Sequence, residues 1–177
     1  SLGMRDFTFS AAEAASRQAE QKRISVLYRL ARGESPVTAV SISALLQRTI
    51  PPETLLSAAF AIRDGESCPI EQAEAALLRC GYIKTEQVEG PGQFARRGGI
   101  LDFFSPGDRE PVRVEFWGDE IDSMGHFDIG SQRRDGQVKS CVILPAAETL
   151  PELTAGGRGA LYREINAFAD KYARRRG

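Results

Sequence analysis

In the stretch PVRVEFWGDEI, apolar residues fall at every second position: Val112, Val114 and Phe116, with Arg113, Glu115 and Trp117 between them. Successive side chains of a strand point to opposite faces. The spacing therefore predicts a strand that turns Val112, Val114 and Phe116 toward a core. Further β segments are predicted at YIKTEQVE, GQFARR, GILDFF, DEIDSMGHFD and QVKSCVIL, with turns at Gly98-Gly99, Pro106-Gly107-Asp108, Gly118-Asp119 and Asp135-Gly136. A Gly-Gly pair between two β runs suits the positive φ angles of a two-residue hairpin. Ahead of these, TLLSAAFAIRDG reads as a strand ending in a turn. PIEQAEAALLRCG reads as a helix, with Pro69 in its first turn and Gly81 as its stop. Residues 51–146 are thus expected to form a compact α+β domain, an antiparallel sheet with one packed helix, able to fold alone.

The flanks carry a different pattern. Ala15, Ala19, Ile24, Leu27, Leu30 and Ala31 make a helical stripe, with Ser10 and Glu13 as a capping box and Gly33 as the stop. PVTAVSI reads as a short β run and SALLQR as a helical turn. Helix, strand, helix over residues 1–50 predicts a piece of a parallel α/β lobe. Pro51-Pro52 marks its boundary. After a Pro/Gly-bearing linker, Leu161, Ile165, Phe168 and Tyr172 follow helical spacing, so residues 147–177 are read as linker and C-terminal helix. The run Arg174-Arg175-Arg176 has two readings, a phosphate-binding patch or a solvated helix end favoured by the dipole.

Composition narrows the function classes. A chain of 177 residues that is 42% apolar can bury a core, and a net charge of −1 gives no global basic field for nucleic acid. Weak or no nucleic-acid binding is expected. Three cysteines without metal spacing fit a reduced, intracellular protein. No apolar run approaches membrane-spanning length and no signal peptide is present, so a cytoplasmic location is expected. The polar approach to the first helix reads as the interior of a longer protein. No phosphate loop of the GxxxxGK[ST] type occurs. His126 is the single histidine, which excludes a multi-histidine metal site or a histidine-based triad within these residues. Asp102, Glu115, Asp119, Glu120 and Asp122 are read as charges at turns and on solvated strand faces. No catalytic residue, cofactor or metal is predicted, and the fragment is expected not to be an enzyme.

One group of residues invites a binding role. Arg113, Glu115 and Trp117 share the strand face opposite the core. Arginine and tryptophan dominate protein–protein hot spots. The competing reading packs Trp117 under a loop or against a neighbouring helix. Arg96 and Arg97 precede the Gly-Gly turn, and alternation sends them to opposite faces, so one of them extends the Trp117 face. Truncating Arg113 is expected to weaken a partner without harming the fold.

The run GYIKTEQVEGPGQFARRGGILDFFSPGDREPVRVEFWGDEIDSMGHFDIGSQRR, followed by VILPAAE, resembles the UvrB-homology region of bacterial transcription-repair coupling factor (Mfd). The upstream EAASRQAEQKRISVLYRLARGESPVTAVSISALLQRTIPPETL is similar to the end of that family's first helicase-like lobe. The excinuclease subunit UvrB shares the RVEF-GDEI pattern more distantly. The resemblance implies a docking surface for UvrA, the damage-recognition ATPase of nucleotide excision repair. The UvrA-contacting positions, carried over residue by residue, fall on Arg97, Arg113, Glu115 and Trp117; the family usually has phenylalanine at the last. It also implies a bacterial parent protein that is an ATP-driven DNA translocase, with its motor C-terminal to this chain. Two alternatives stand beside it. One is a fragment of UvrB itself; the other is a module that docks on the C-terminal part of its own parent.

Overall fold

The computed structural model describes Leu2 and residues 13–34, 37–154 and 156–174. Its elements run, in chain order, α1 (Glu13–Ala31), α2 (Ile42–Leu45), α3 (Pro52–Ala58), β1 (Phe60–Arg63), α4 (Ile70–Arg79), β2 (Ile83–Lys84), β3 (Gln93–Arg97), β4 (Ile100–Phe103), β5 (Val112–Trp117), β6 (Glu120–Phe127), β7 (Arg134–Asp135), β8 (Ser140–Ile143) and α5 (Gly157–Ala173). The predicted capping residue Ser10, and Arg175 and Arg176, lie outside the described residues.

The architecture is α+β. Strands β3 to β6 form an antiparallel meander within a six-stranded sheet of order β2-β3-β4-β5-β6-β7. Gly98 and Gly118 supply the left-handed conformations (φ 60° and 61°) that let β3–β4 and β5–β6 reverse in two residues. One face of the sheet carries Phe94, Leu101, Phe103, Val112, Val114, Ile121 and Met124. Against it lies α4, whose Ile70, Ala73 and Leu77 are spaced at i, i+3 and i+7 and buried in the same cluster. Burying Leu77 alone is worth about 2 kcal/mol. Phe116 packs at the edge of this core, so the period-two assignment of Val112, Val114 and Phe116 matches the packing.

Several elements differ from the sequence reading. TLLSAAF divides into helix α3 and the start of β1. Pro52 sits at the first helical position, where its missing N–H costs nothing, and Leu55 and Ala58 turn inward one helical turn apart. Pro69 is the N-cap residue of α4 and precedes its first turn. PVTAVSI is not a strand: Val37 is 90% exposed, and among the described residues the segment's β pairing is a lone parallel bridge between Leu2 and Val40. A strand needs a ladder, and Ser41 instead caps α2 by accepting from the Ala44 N–H at 3.2 Å. YIKTEQVE yields only the two residues of β2, and these run parallel to β3. QVKSCVIL leaves the meander, and its β8 pairs with β1 in a separate two-stranded sheet, Phe60 opposite Ile143.

The first helix packs across the boundary at Pro51. Its Ile24 joins Ile50, Leu55 and Leu144 in a second apolar cluster. Beside it Arg23 Nε meets Glu148 Oε1 at 2.7 Å, with both side chains essentially fully buried. The Glu148 N–H donates to Glu20 Oε1 at 2.8 Å, and Gln21 Nε2 donates to the Pro91 carbonyl at 3.0 Å. At the far end, Tyr162, Ile165, Phe168 and Tyr172 of α5 are exposed.

Candidate partner-docking face

The sheet face away from α4 holds the predicted site. Strand register sets two rows across it. Arg97, Ile100, Glu115 and Ser123 stand opposite one another on β3, β4, β5 and β6, and Ala95, Asp102, Arg113 and Gly125 form the next row. Beyond them Trp117 pairs with Glu120 at the β5–β6 turn. The pairing slips by one residue between Glu115 and Phe116, so Asp122 has no opposite number. Such a bulge twists a hairpin end away from the sheet. Trp117 is 82% exposed, which removes the reading that packs it under a loop or helix.

The two arginines before the Gly-Gly turn separate as alternation requires. Arg96 reaches α4, where its guanidinium donates to Glu71 at 2.7 Å and Glu74 at 2.9 Å. Arg97 points to the opposite face and donates to Asp102 Oδ2 at 2.7 Å. Asp102 was expected to be a solvated charge, yet its side chain is only 1% exposed. It lies between Leu101 and Phe103, on the face opposite theirs, covered by Arg113. That arginine donates from Nε to Oδ1 at 2.7 Å and from Nη2 to Oδ2 at 2.8 Å, a two-pronged carboxylate contact. Asp102 holds the Arg113 guanidinium's pKa above its ordinary value through these bonds.

Arg113 is itself largely enclosed, at 14% exposure. Its guanidinium lies 4.7 Å from the Phe127 ring centroid and donates through Nη1 to the Gln132 carbonyl at 3.1 Å. Gln132 holds a left-handed conformation (φ 59°), secured by its Nε2 donating to the Ile129 carbonyl at 2.7 Å. Truncating Arg113 would therefore strip a buried carboxylate of its main partner. The expectation that this change spares the fold does not fit the packing.

Glu115 is held from the other side. Arg134, on β7, donates to Glu115 Oε1 at 3.3 Å, to Ser123 Oγ at 2.9 Å and to the Met124 carbonyl at 2.7 Å. Its guanidinium lies across Gly125, where an added Cβ would come within 2.3 Å of Arg134 Nε and 2.6 Å of the Gly136 carbonyl. The face thus offers a half-exposed arginine, Arg97, a carboxylate, Glu115, and an open indole, each on a rigid strand or its turn. Asp102, Phe127, Gln132 and Arg134 support it; the sequence singled out only Asp102 of the four, and read it as a solvated charge. Among the described residues no cluster of three or more histidine, cysteine or acidic side chains could hold a metal, and no helix is long and apolar enough to cross a membrane.

Comparison with known proteins places this face in a family. A family model described as the UvrB interaction domain matches residues 60–148, from the first residue of β1 to the glutamate paired with Arg23. The chain belongs to the UvrB interaction domain family. Both rows of the candidate face lie inside this UvrB interaction domain. The chain is 36% identical over 126 residues to the transcription-repair-coupling factor of Haemophilus influenzae, covering 71% of the chain and 11% of that protein. The factors of Bacillus subtilis and Myxococcus xanthus are 32% and 34% identical over 136 and 151 residues, 77% and 85% of the chain. The chain spans only about a tenth of the length of these relatives, 11 to 12%.

Proposed function

We propose that this chain is a docking module that recruits UvrA, and so links stalled transcription to nucleotide excision repair as part of a transcription-repair-coupling factor. The observation that carries the reading is Trp117. A tryptophan open to solvent contributes little to its own fold, yet this one stands at the β5–β6 turn, two residues beyond Glu115, whose row across the sheet also holds the half-exposed Arg97. Aromatic and arginine side chains that a partner can desolvate together are the usual centres of protein–protein affinity. UvrA as the partner comes from the resemblance of Arg97, Arg113, Glu115 and Trp117 to that family's contact positions. The relatives' shared name joins transcription to repair.

Trp117→Ala and Arg97→Ala test it without disturbing the core, since neither side chain is buried. Each is expected to weaken UvrA binding by about 2 kcal/mol, roughly thirtyfold, in calorimetric titration. The Trp117→Ala melting curve should coincide with the parent's, while Arg97→Ala, which gives up one of the three hydrogen bonds to the buried Asp102 carboxylate, should stay folded and melt slightly lower. Unchanged affinity in both variants refutes the reading.

A further inference from the structure

We infer that Asp102 is the positioning residue of the docking face, a buried carboxylate that fixes Arg113 inside the sheet and holds Arg97 at its surface in one orientation. This rests on the docking reading above. Among the described residues Oδ1 accepts from Arg113 Nε, while Oδ2 accepts from both Arg113 Nη2 and Arg97 Nη2, at 2.8 and 2.7 Å. One carboxylate oxygen on β4 therefore joins two guanidinium groups from the strands on either side, β3 and β5.

Stability gives no reason for this arrangement. Buried ion pairs recover little more than their desolvation cost, and apolar replacements of equal volume are often as stable. The rest of GILDFF is apolar after its glycine, and a β-branched or aromatic residue would suit position 102 on packing grounds. What the carboxylate does supply is order. A free arginine on a sheet surface samples many rotamers, and a partner must freeze them at the expense of affinity. Asp102 has already frozen these two.

It also decides which arginine is offered. Arg113 is closed in by the Phe127 ring and the Gln132 carbonyl and is 14% exposed, whereas Arg97 is 48% exposed. The trio of Asp102, Arg97 and Arg113 carries a net charge of +1. That charge reaches solvent at Arg97, in the same row as Glu115, and Trp117 stands two residues beyond Glu115 on β5. The partner group that complements it is a carboxylate seated beside an apolar recess for the indole.

The test is a double-mutant cycle on the 177-residue chain with UvrA as the probe, joined to NMR of the arginine guanidinium N–H groups. Asp102→Asn is expected to weaken binding about tenfold, the effect of leaving two long side chains to be ordered on association. In an Arg97→Ala background the same change should cost less than about threefold, because the side chain it orders is gone. The Arg113 Nε–H and Arg97 Nη–H signals, sharp in the parent, should broaden or vanish in Asp102→Asn. If Asp102→Asn does not fold, Arg97→Lys replaces it: the charge remains, the fork held by Asp102 is lost, and affinity should fall nearly as far as in Arg97→Ala. Folded Asp102→Asn, or Arg97→Lys in its stead, binding within twofold of the parent while Arg97→Ala weakens binding overturns the positioning role alone. So does a cost of Asp102→Asn that is equal in both backgrounds. If Arg97→Ala and Trp117→Ala bind UvrA as tightly as the parent, the docking reading falls and takes the positioning role with it.

Discussion

The Cys80 thiol donates to the Ala58 carbonyl at 3.3 Å, and burial pushes its pKa up to about 11. Burial pushes Cys141 further, to about 12, and raises Cys68 as well. Thiolate is the reactive form, so all three cysteines should resist iodoacetamide at pH 8 in the folded chain and react fully in denaturant. Mass spectrometry of the alkylated protein checks this; rapid labelling of Cys80 under native conditions would contradict the burial. The same contrast between depth and type explains what single residues disclosed. Alternation separated Arg97 from Arg96 and put Arg113, Glu115 and Trp117 on one face, because strand periodicity is a local property. It assigned a face and not a depth. Asp102 looked like a solvated charge because Phe127 and Gln132, which help enclose its Arg113 partner, arrive from 25 and 30 positions along the chain. An aspartate inside the apolar run ILDFF, directly opposite an arginine, was the available signal. Arg134 gave none, since its strand is only two residues long.

Between elements, helix α4 and strands β2 and β3 are stitched by charge. Glu74 accepts from Lys84 at 2.6 Å and from Arg96 at 2.9 Å, while Glu71 takes the other arm of Arg96. Lys84 first, then Arg96, holds the Glu74 carboxyl below its ordinary value of 4.5. A depressed carboxylate contributes stability above the unfolded-state value and loses it as pH falls through the folded one. The melting temperature should therefore drop as pH is lowered from 5 toward 3. Glu74→Gln should melt lower at pH 7 and show a smaller acid loss; an acid profile identical to the parent's would remove this bridge as a contributor. Elements were legible where their pattern was self-contained. The β3–β6 meander and α4 announced themselves by period and glycine turns. Helix α3 was missed because seven residues with a strand fused to them show no helical period of their own. The apolar run at PVTAVSI promised a strand, but a strand's existence depends on a neighbour, and that information is not local.

Across the molecule, the buried contact between Arg23 and Glu148 ties α1 to the segment following β8. Removing one member of such a pair leaves a charge in an apolar setting, at a cost of about 3–5 kcal/mol. Arg23→Ala should lower the melting temperature by roughly 10 °C for a chain of this size. The joint replacement Arg23→Met with Glu148→Leu should lose much less. Calorimetry of both variants decides it, and a single variant melting within about 2 °C of the parent would show the pair to be dispensable. Nothing in the sequence marked these two residues, 125 positions apart, as partners. Their meeting has a mechanical side. A load applied to the flanks would enter along α1, cross directly from residue 23 to residue 148, and leave along the linker, bypassing everything between. The sheet that carries Arg97, Glu115 and Trp117 would hang on that chain like a bead on a closed loop, outside the line of load for as long as the clasp holds.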